Sequence, residues 1–152
     1  MDFAFSEQQL MIRQMVREFA RERVAPGARE RDESGQFPWD IFREMAGLGL
    51  LGMVTPEEYG GSGLDPLSYL IAVEELAWAD ASVAVGLSVH NSVCQWPIVH
   101  FGSEELKGRV LPPLAQGEVL GGLMLTEPDS GSDLASLSTT YRRAGDEYVL
   151  SG

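Results

Sequence analysis

Leu123-Met124-Leu125-Thr126-Glu127-Pro128-Asp129-Ser130-Gly131-Ser132-Asp133 is the stretch on which this chain changes from one kind of structure to another. An apolar, strand-like run stops at a Pro-containing turn, and Ser130 and Ser132 then flank Gly131. Lacking a Cβ, Gly131 lets backbone N–H groups approach a ligand closely. Consecutive N–H groups in such a turn form a concave anion-binding nest. Thr126, at the end of the run, is placed to offer a hydroxyl to a polar ring edge. The segment thus offers hydrogen bonds to a large polar cofactor, with phosphate as one candidate anion. A plain β-turn rich in Ser, Asp and Gly accounts equally well for these residues taken alone.

Upstream of this stretch the patterning is helical. Ser6 and Gln9 form a capping box, with Phe5 and Leu10 at the positions of a hydrophobic staple. Leu10, Met11, Met15, Phe19 and Val24 recur at helical spacing, and Pro26 ends this helix or begins the next. A short helix starts near Pro38 and carries Ile41, Phe42 and Met45. Residues 55–63 are rich in turn formers and predict an exposed loop. Asp65 caps a further helix with Pro66 in its first turn. Residues 81–100 hold almost no charge and read as one buried helix, kinked or split at Pro97. Ser103 caps another helix before Glu104 and Glu105, whose charges suit its N-terminus. Pro112-Pro113 should stop it or begin the next turn.

Downstream the pattern changes. Val119 to Leu125 is apolar and Gly-containing, without a helical charge pattern. Leu137 to Arg143 alternates loosely and holds Thr139, Thr140 and Tyr141, which favour strands. Ala144-Gly145-Asp146 reads as a hairpin turn and Tyr148-Val149-Leu150 as its return strand. The expected fold is therefore mainly α: a helical bundle domain over residues 1–117, followed over 118–152 by the first strands of a β-barrel-like domain. So few strands leave an edge unpaired and a face uncovered, and the chain reads as the amino-terminal part of something longer.

Composition narrows the partners. The 152 residues carry 44% hydrophobic and 22% charged residues, ordinary for a soluble domain. A formal net charge of -12 argues against nucleic acid or an anionic membrane, both of which need clustered Lys and Arg. Cys94 is the only cysteine, so no internal disulfide forms, which suits a reducing compartment. Its apolar neighbours favour buried packing over a reactive thiol. No basic and apolar leader and no run of roughly 20 apolar residues is present, so a cytoplasmic protein without membrane insertion is expected. His90 and His100 have no Cys, His or Asp cluster around them, and no metal site is expected.

Thr126-Glu127-Pro128-x-x-Gly131-Ser132-Asp133 resembles the flavin-loop signature of the acyl-CoA dehydrogenases. Pro56-Glu57-Glu58-Tyr59-Gly60-Gly61-Ser62-Gly63, Phe101-Gly102-Ser103-Glu104-Glu105-Leu106-Lys107, residues 111–118 and residues 146–152 resemble other stretches of that family in the same order. The resemblance spans nearly the whole chain. Met124 departs from it, standing where the family has Gly, Ala or Cys.

The resemblance implies FAD as cofactor and α,β-dehydrogenation of an acyl-CoA thioester, with hydride transfer to flavin N5 and an electron-transfer flavoprotein as acceptor. It implies that Leu123, Leu125, Thr126, Gly131 and Ser132 bind FAD. Leu125 would offer backbone groups and Thr126 its hydroxyl to the ring, and Gly131 and Ser132 would meet the pyrophosphate. Ser132, Leu87, His90 and Asn91 become candidates for the substrate, with Cys94 and Trp78 nearby, and each of these is as readily a core residue. The run from Asp80 to Ser92 looks most like the short-chain, butyryl-type members. No residue here is expected to be the catalytic base, which the family carries beyond the position of residue 152, and Glu127 is expected to fix the loop by hydrogen bonds. The family also implies a homo-oligomer, a dimer or homotetramer. Two alternatives stay open: an oxidase or monooxygenase of the same fold (acyl-CoA oxidase or nitroalkane oxidase type), and a helical interaction module without cofactor.

Overall fold

A computed structural model describes residues 4–152, which divide into two compact units, one of helices ending at Gly122 and one spanning Leu123–Gly152. The first begins with α1 (Glu7–Phe19), capped as its sequence predicts: Ser6 Oγ accepts from Gln9 N at 3.2 Å while Gln9 Oε1 accepts from Ser6 N at 3.0 Å. The helix widens into a π-helical turn over Ala20–Val24, which brings Ala20 and Val24 into the core beside Val16. Leu10 and Met11, grouped with these residues by spacing, face outward at 49% and 66% exposure.

Then follow α2 (Ala28–Ser34), α3 (Trp39–Gly47) and α4 (Pro66–Ala79). The α4 cap is Asp65, whose Oδ1 accepts from Leu67 N at 2.9 Å and Ser68 N at 3.1 Å. Helix α1 packs on α4, and the contact is locked by charge. Glu75 takes Arg17 Nε at 2.8 Å, Arg17 Nη2 at 2.6 Å and Arg13 Nε at 3.0 Å. These bonds, those of Arg17 first, outweigh burial and hold the Glu75 carboxyl below its ordinary range.

Asp80 performs two tasks at the next junction. It caps α5 (Ala81–Ser88) through Ser82 N and Val83 N, and it pairs with Arg31 Nε at 2.9 Å. Arg31 also donates to Val24 O, so one guanidinium ties α2 back to the end of the first helix.

The long apolar run is not one α-helix. After α5 the chain forms a π-helical segment over Val89–Gln95 and then α6 (Trp96–Phe101), with Pro97 in its first turn. Pro97 has no N–H to give, and side chains take over part of the carbonyl pairing in the wide segment. Asn91 Nδ2 reaches Leu87 O at 3.2 Å, Ser92 Oγ reaches Ser88 O at 2.7 Å and Gln95 Nε2 reaches His90 O at 3.3 Å.

The last helix, α7 (Glu104–Ala115), contains Pro112 and Pro113 rather than stopping at them. Each removes an i→i−4 hydrogen bond from the turn it occupies, a cost the helix bears with Leu111, Leu114 and Ala115 buried. Residues 118–122 stay with the helical unit, five residues past the composition change at Gly117.

Met45, Leu50, Leu51, Met53, Leu76 and Leu87 are the large apolar side chains at the centre of this unit, all at most 1% exposed. Each stabilises the fold by roughly 1.5–3 kcal/mol through burial. Thr55 is fully buried too, contrary to an exposed loop beginning there, because Gln95 takes its hydroxyl proton. Tyr59, in the turn that follows, donates to Glu104 Oε2 at 2.6 Å, and that bond pushes the phenol up to about 12.

In the second unit, β1 (Thr140–Ala144) and β2 (Glu147–Ser151) pair antiparallel, Thr140 opposite Ser151 and Ala144 opposite Glu147. Gly145, at φ 68°, makes the turn a left-handed one that glycine adopts without strain. The expected strand over Val119–Leu125 is not formed: residues 120–126 have no regular secondary structure, because no described segment supplies a ladder partner.

Candidate functional site

The loop after Thr126 is built around one carboxylate. Glu127 and Ser130 close a tight turn over Pro128 and Asp129, with Glu127 N to Ser130 O at 2.9 Å and Ser130 N to Glu127 O at 3.2 Å. The Glu127 side chain reaches the segment that leads into β1. It accepts from Ser138 N at 2.7 Å, Ser138 Oγ at 2.8 Å and Thr139 N at 2.8 Å. Hydrogen bonds from Thr139 and Ser138 hold its carboxyl down to about 2, so it is a fixed anion at neutral pH and a poor proton acceptor.

Ser130 points inward, 2% exposed, and donates from Oγ to Asp133 O at 2.9 Å. Asp133 in turn caps the short turn at Leu134–Ser136 through Ala135 N at 3.2 Å. The sequence names Ser130 as a hydroxyl residue beside Gly131; the structure turns it inward to close the loop.

Leu123, Leu125, Thr126, Gly131 and Ser132 are all exposed. Among the described residues, none bonds to the N–H groups of Leu125, Thr126, Gly131 or Ser132. Among the described residues, and apart from its two chain neighbours, none has an atom within 4 Å of where a Cβ on Gly131 would stand. A rigid turn, free donors and an open glycine fit the ring edge and pyrophosphate of a dinucleotide. Met124, the departure from the family pattern, is fully exposed.

The helical unit holds a second feature. Phe37, Phe42, Gly86, Val89, His90 and Leu120, with Gly121, line an apolar cleft of about 220 Å³. The π-helical segment sets its floor. With His90, Asn91 and Gln95 turned inward, the segment is sewn to the chain around Leu50–Thr55. Asn91 Nδ2 donates to Leu50 O at 3.1 Å, Gln95 Nε2 to Leu51 O at 2.6 Å, and Thr55 Oγ1 to Gln95 Oε1 at 2.7 Å.

His90 ties the other side. Its Nδ1 accepts the N–H of Gly121 at 3.0 Å, which leaves the proton on Nε2 for Leu114 O, also at 3.0 Å. Burial pushes its pKa down, against weaker opposing bonds from Leu114 and Leu51, so the ring is neutral. Gly121 packs so tightly on Cys94 that a Cβ there would collide with the thiol sulfur. Burial raises the Cys94 pKa, keeping it a thiol.

Of the substrate candidates in this unit, only His90 lines the cleft. Leu87 and Asn91 are 0% exposed, and the Asn91 amide nitrogen is taken up by the carbonyls of Leu50 and Leu87. Both pack behind the cleft in this structure. Phe37, Phe42, Gly86 and Gln95 were missed in the sequence. Gln95 follows His90 by five residues, the spacing of a π-helical turn, and that is the one signal that could have found it.

The acyl-CoA dehydrogenase N-terminal domain matches this sequence over residues 6–118. The short-chain-specific acyl-CoA dehydrogenase of Clostridium acetobutylicum is 45% identical over 152 residues, covering 100% of this chain and 40% of that protein. The butyryl-CoA dehydrogenase of Megasphaera elsdenii superposes with a TM-score of 0.92 at 40% identity, covering 100% of this chain and 41% of the other. An acyl-CoA dehydrogenase of Bacillus anthracis complexed with FAD superposes at 0.90 with 39% identity, covering 97% and 26%. The chain spans 39–40% of the length of three curated relatives it matches. With a family model covering residues 6–118 and a relative 45% identical over 152 residues, this chain belongs to the acyl-CoA dehydrogenase family.

Proposed function

We propose that this chain is the flavin- and acyl-binding part of an FAD-dependent acyl-CoA dehydrogenase acting on short acyl chains. The observation that carries the proposal is the Glu127-anchored loop, whose unpaired N–H groups at Leu125, Thr126, Gly131 and Ser132 surround an open glycine. When bound, FAD supplies the two-electron oxidant: the thioester loses a proton from Cα to a base and a hydride from Cβ to the cofactor.

The chain's own residues bind and orient. Leu123 and Leu125 present backbone groups to the ring edge, and Thr126 adds its hydroxyl. Gly131 and Ser132 hold the pyrophosphate through N–H groups, and Ser132 also meets the CoA moiety. His90 faces the acyl tail across the apolar cleft, while Leu87 and Asn91 hold its helix in place. The cleft excludes water from the tail. Glu75 and Glu127 are committed to Arg and backbone partners and are not proposed as the α-proton acceptor. An electron-transfer flavoprotein is the proposed electron acceptor, and a cytoplasmic homo-oligomer the proposed state.

The test is spectroscopic. The purified full-length polypeptide should be yellow, and butyryl-CoA should bleach it without air. Rapid peroxide formation on admitting air would make it an oxidase. A colourless protein under conditions that retain FAD would sink the flavin reading.

A further inference from the structure

The cleft beside His90 ends at a wall made by one ring. Phe42 is 3% exposed and rests on Gly86, where an added Cβ would stand 2.5 Å from its Cζ. The absence of a side chain at Gly86 is therefore what lets the ring lie there. Phe37 backs it with ring centroids 4.8 Å apart, and Trp39 backs Phe37 at 4.7 Å. A second cleft of about 640 Å³ is lined by Arg31, Asp80 and Ser82 together with the same two phenylalanines. Phe37 and Phe42 are the only residues the two clefts share. The rings are thus a partition between a small apolar cleft and a larger one with a polar wall.

We propose that Phe42 is the specificity-determining residue for acyl chain length: its ring closes the small cleft and stops the tail short of the Arg31–Asp80 cleft. Phe42 holds its position better than Phe37, which is 48% exposed. Shortening Phe42 joins the two clefts and lets a longer tail run on. A methyl at Gly86 would collide with that ring, so the seat of the partition depends on glycine there.

This inference rests on the acyl-CoA reading above, and the experiment separates the two. The full-length, FAD-loaded protein is assayed for kcat/KM with butyryl-, hexanoyl- and octanoyl-CoA. Wild type should prefer butyryl-CoA. Phe42→Leu, which keeps an apolar core residue, should raise the octanoyl-to-butyryl ratio by about tenfold or more, the discrimination one or two methylenes give in an apolar pocket. Phe42→Met, closer to phenylalanine in volume, should raise the hexanoyl-to-butyryl ratio in the same direction, so the proposal can still be judged if Phe42→Leu does not fold. Wild-type turnover with both ratios unchanged in the variants would overturn the role of Phe42 alone. No turnover of any acyl-CoA by wild type would overturn the enzymatic reading and this inference with it.

Discussion

His90 Nδ1 accepts the backbone N–H of Gly121 at 3.0 Å, joining the middle of the π-helical segment to the chain two residues before Leu123. The same ring gives its other proton to Leu114 O. One neutral imidazole thus fixes both the end of α7 and the residues that lead on to the loop. Replacing His90 by Ala leaves an N–H and a carbonyl without their partner inside the protein. Each unsatisfied group costs about 1–3 kcal/mol, so His90→Ala should lower the unfolding free energy by ~2–5 kcal/mol in denaturant titration. A loss under ~1 kcal/mol would mean that water replaces both bonds.

The same bond fixes a pH dependence. Protonated His90 cannot accept from Gly121, and burial keeps its folded pKa below the unfolded value. A group depressed on folding contributes its stability above the unfolded pKa of about 6.5 and loses it as pH falls through the folded value. Stability should therefore fall on acidification below about pH 6.5, and His90→Gln should flatten that part of the curve. Identical acid profiles for both proteins would contradict the assignment.

Glu75 gives a second acid limb, at lower pH. Its carboxyl is depressed by Arg17 and Arg13, so the triad's contribution is present above the unfolded carboxylate pKa of about 4.3 and is lost as pH falls through the folded value. The arginine side chains are 39% and 40% exposed and the carboxylate 9%, so solvent screens the pair and the fully buried figure does not apply. Glu75→Gln should cost about 1–2 kcal/mol in thermal or denaturant unfolding.

Gly121 and Cys94 form a coupled pair. A methyl at 121 collides with the thiol, so Gly121→Ala should destabilise by about 1–3 kcal/mol through overpacking. Cys94→Ala removes the sulfur and should restore part of that loss. A double-mutant cycle measures the coupling, and strict additivity would show that the backbone moves instead.

Much of the fold was legible where a local rule and the tertiary structure agreed. Ser6 with Gln9, Asp65 with Pro66 and Ser103 before Glu104 cap helices because the unpaired N–H groups of a first turn donate to a nearby side-chain oxygen. Glu127 was legible as a loop-fixing residue for the same reason, and the structure gives it three donors. The misses came where packing overrides local preference. Pro112 and Pro113 read as a stop, yet Leu111, Leu114 and Ala115 are buried, and that burial holds the turn together. His90, Asn91 and Gln95 face inward only because the backbone widens after Ser88, and periodicity at 3.6 residues does not foresee such a turn. Phe42 read as one more core residue, and its place between two clefts follows from Gly86, 44 positions away.

The loop has its own variant test. Glu127→Gln keeps the shape but gives up a charge-assisted acceptor, so the segment at Ser138–Thr139 should loosen and the FAD-to-protein ratio after gel filtration should fall. The helical unit should unfold as before, since the bonds of Glu127 lie within residues 127–139.

The measurement that tests the central claim most directly is FAD affinity of Gly131→Val in the full-length protein, alongside its thermal unfolding without cofactor. Among the described residues, and apart from the two chain neighbours, none has an atom within 4 Å of a Cβ at 131, so the fold should accept the branched side chain and the melting point of the cofactor-free protein should stay put. The flavin should be lost, because valine would fill the space proposed for the pyrophosphate. Full FAD occupancy with valine at 131 would contradict the account.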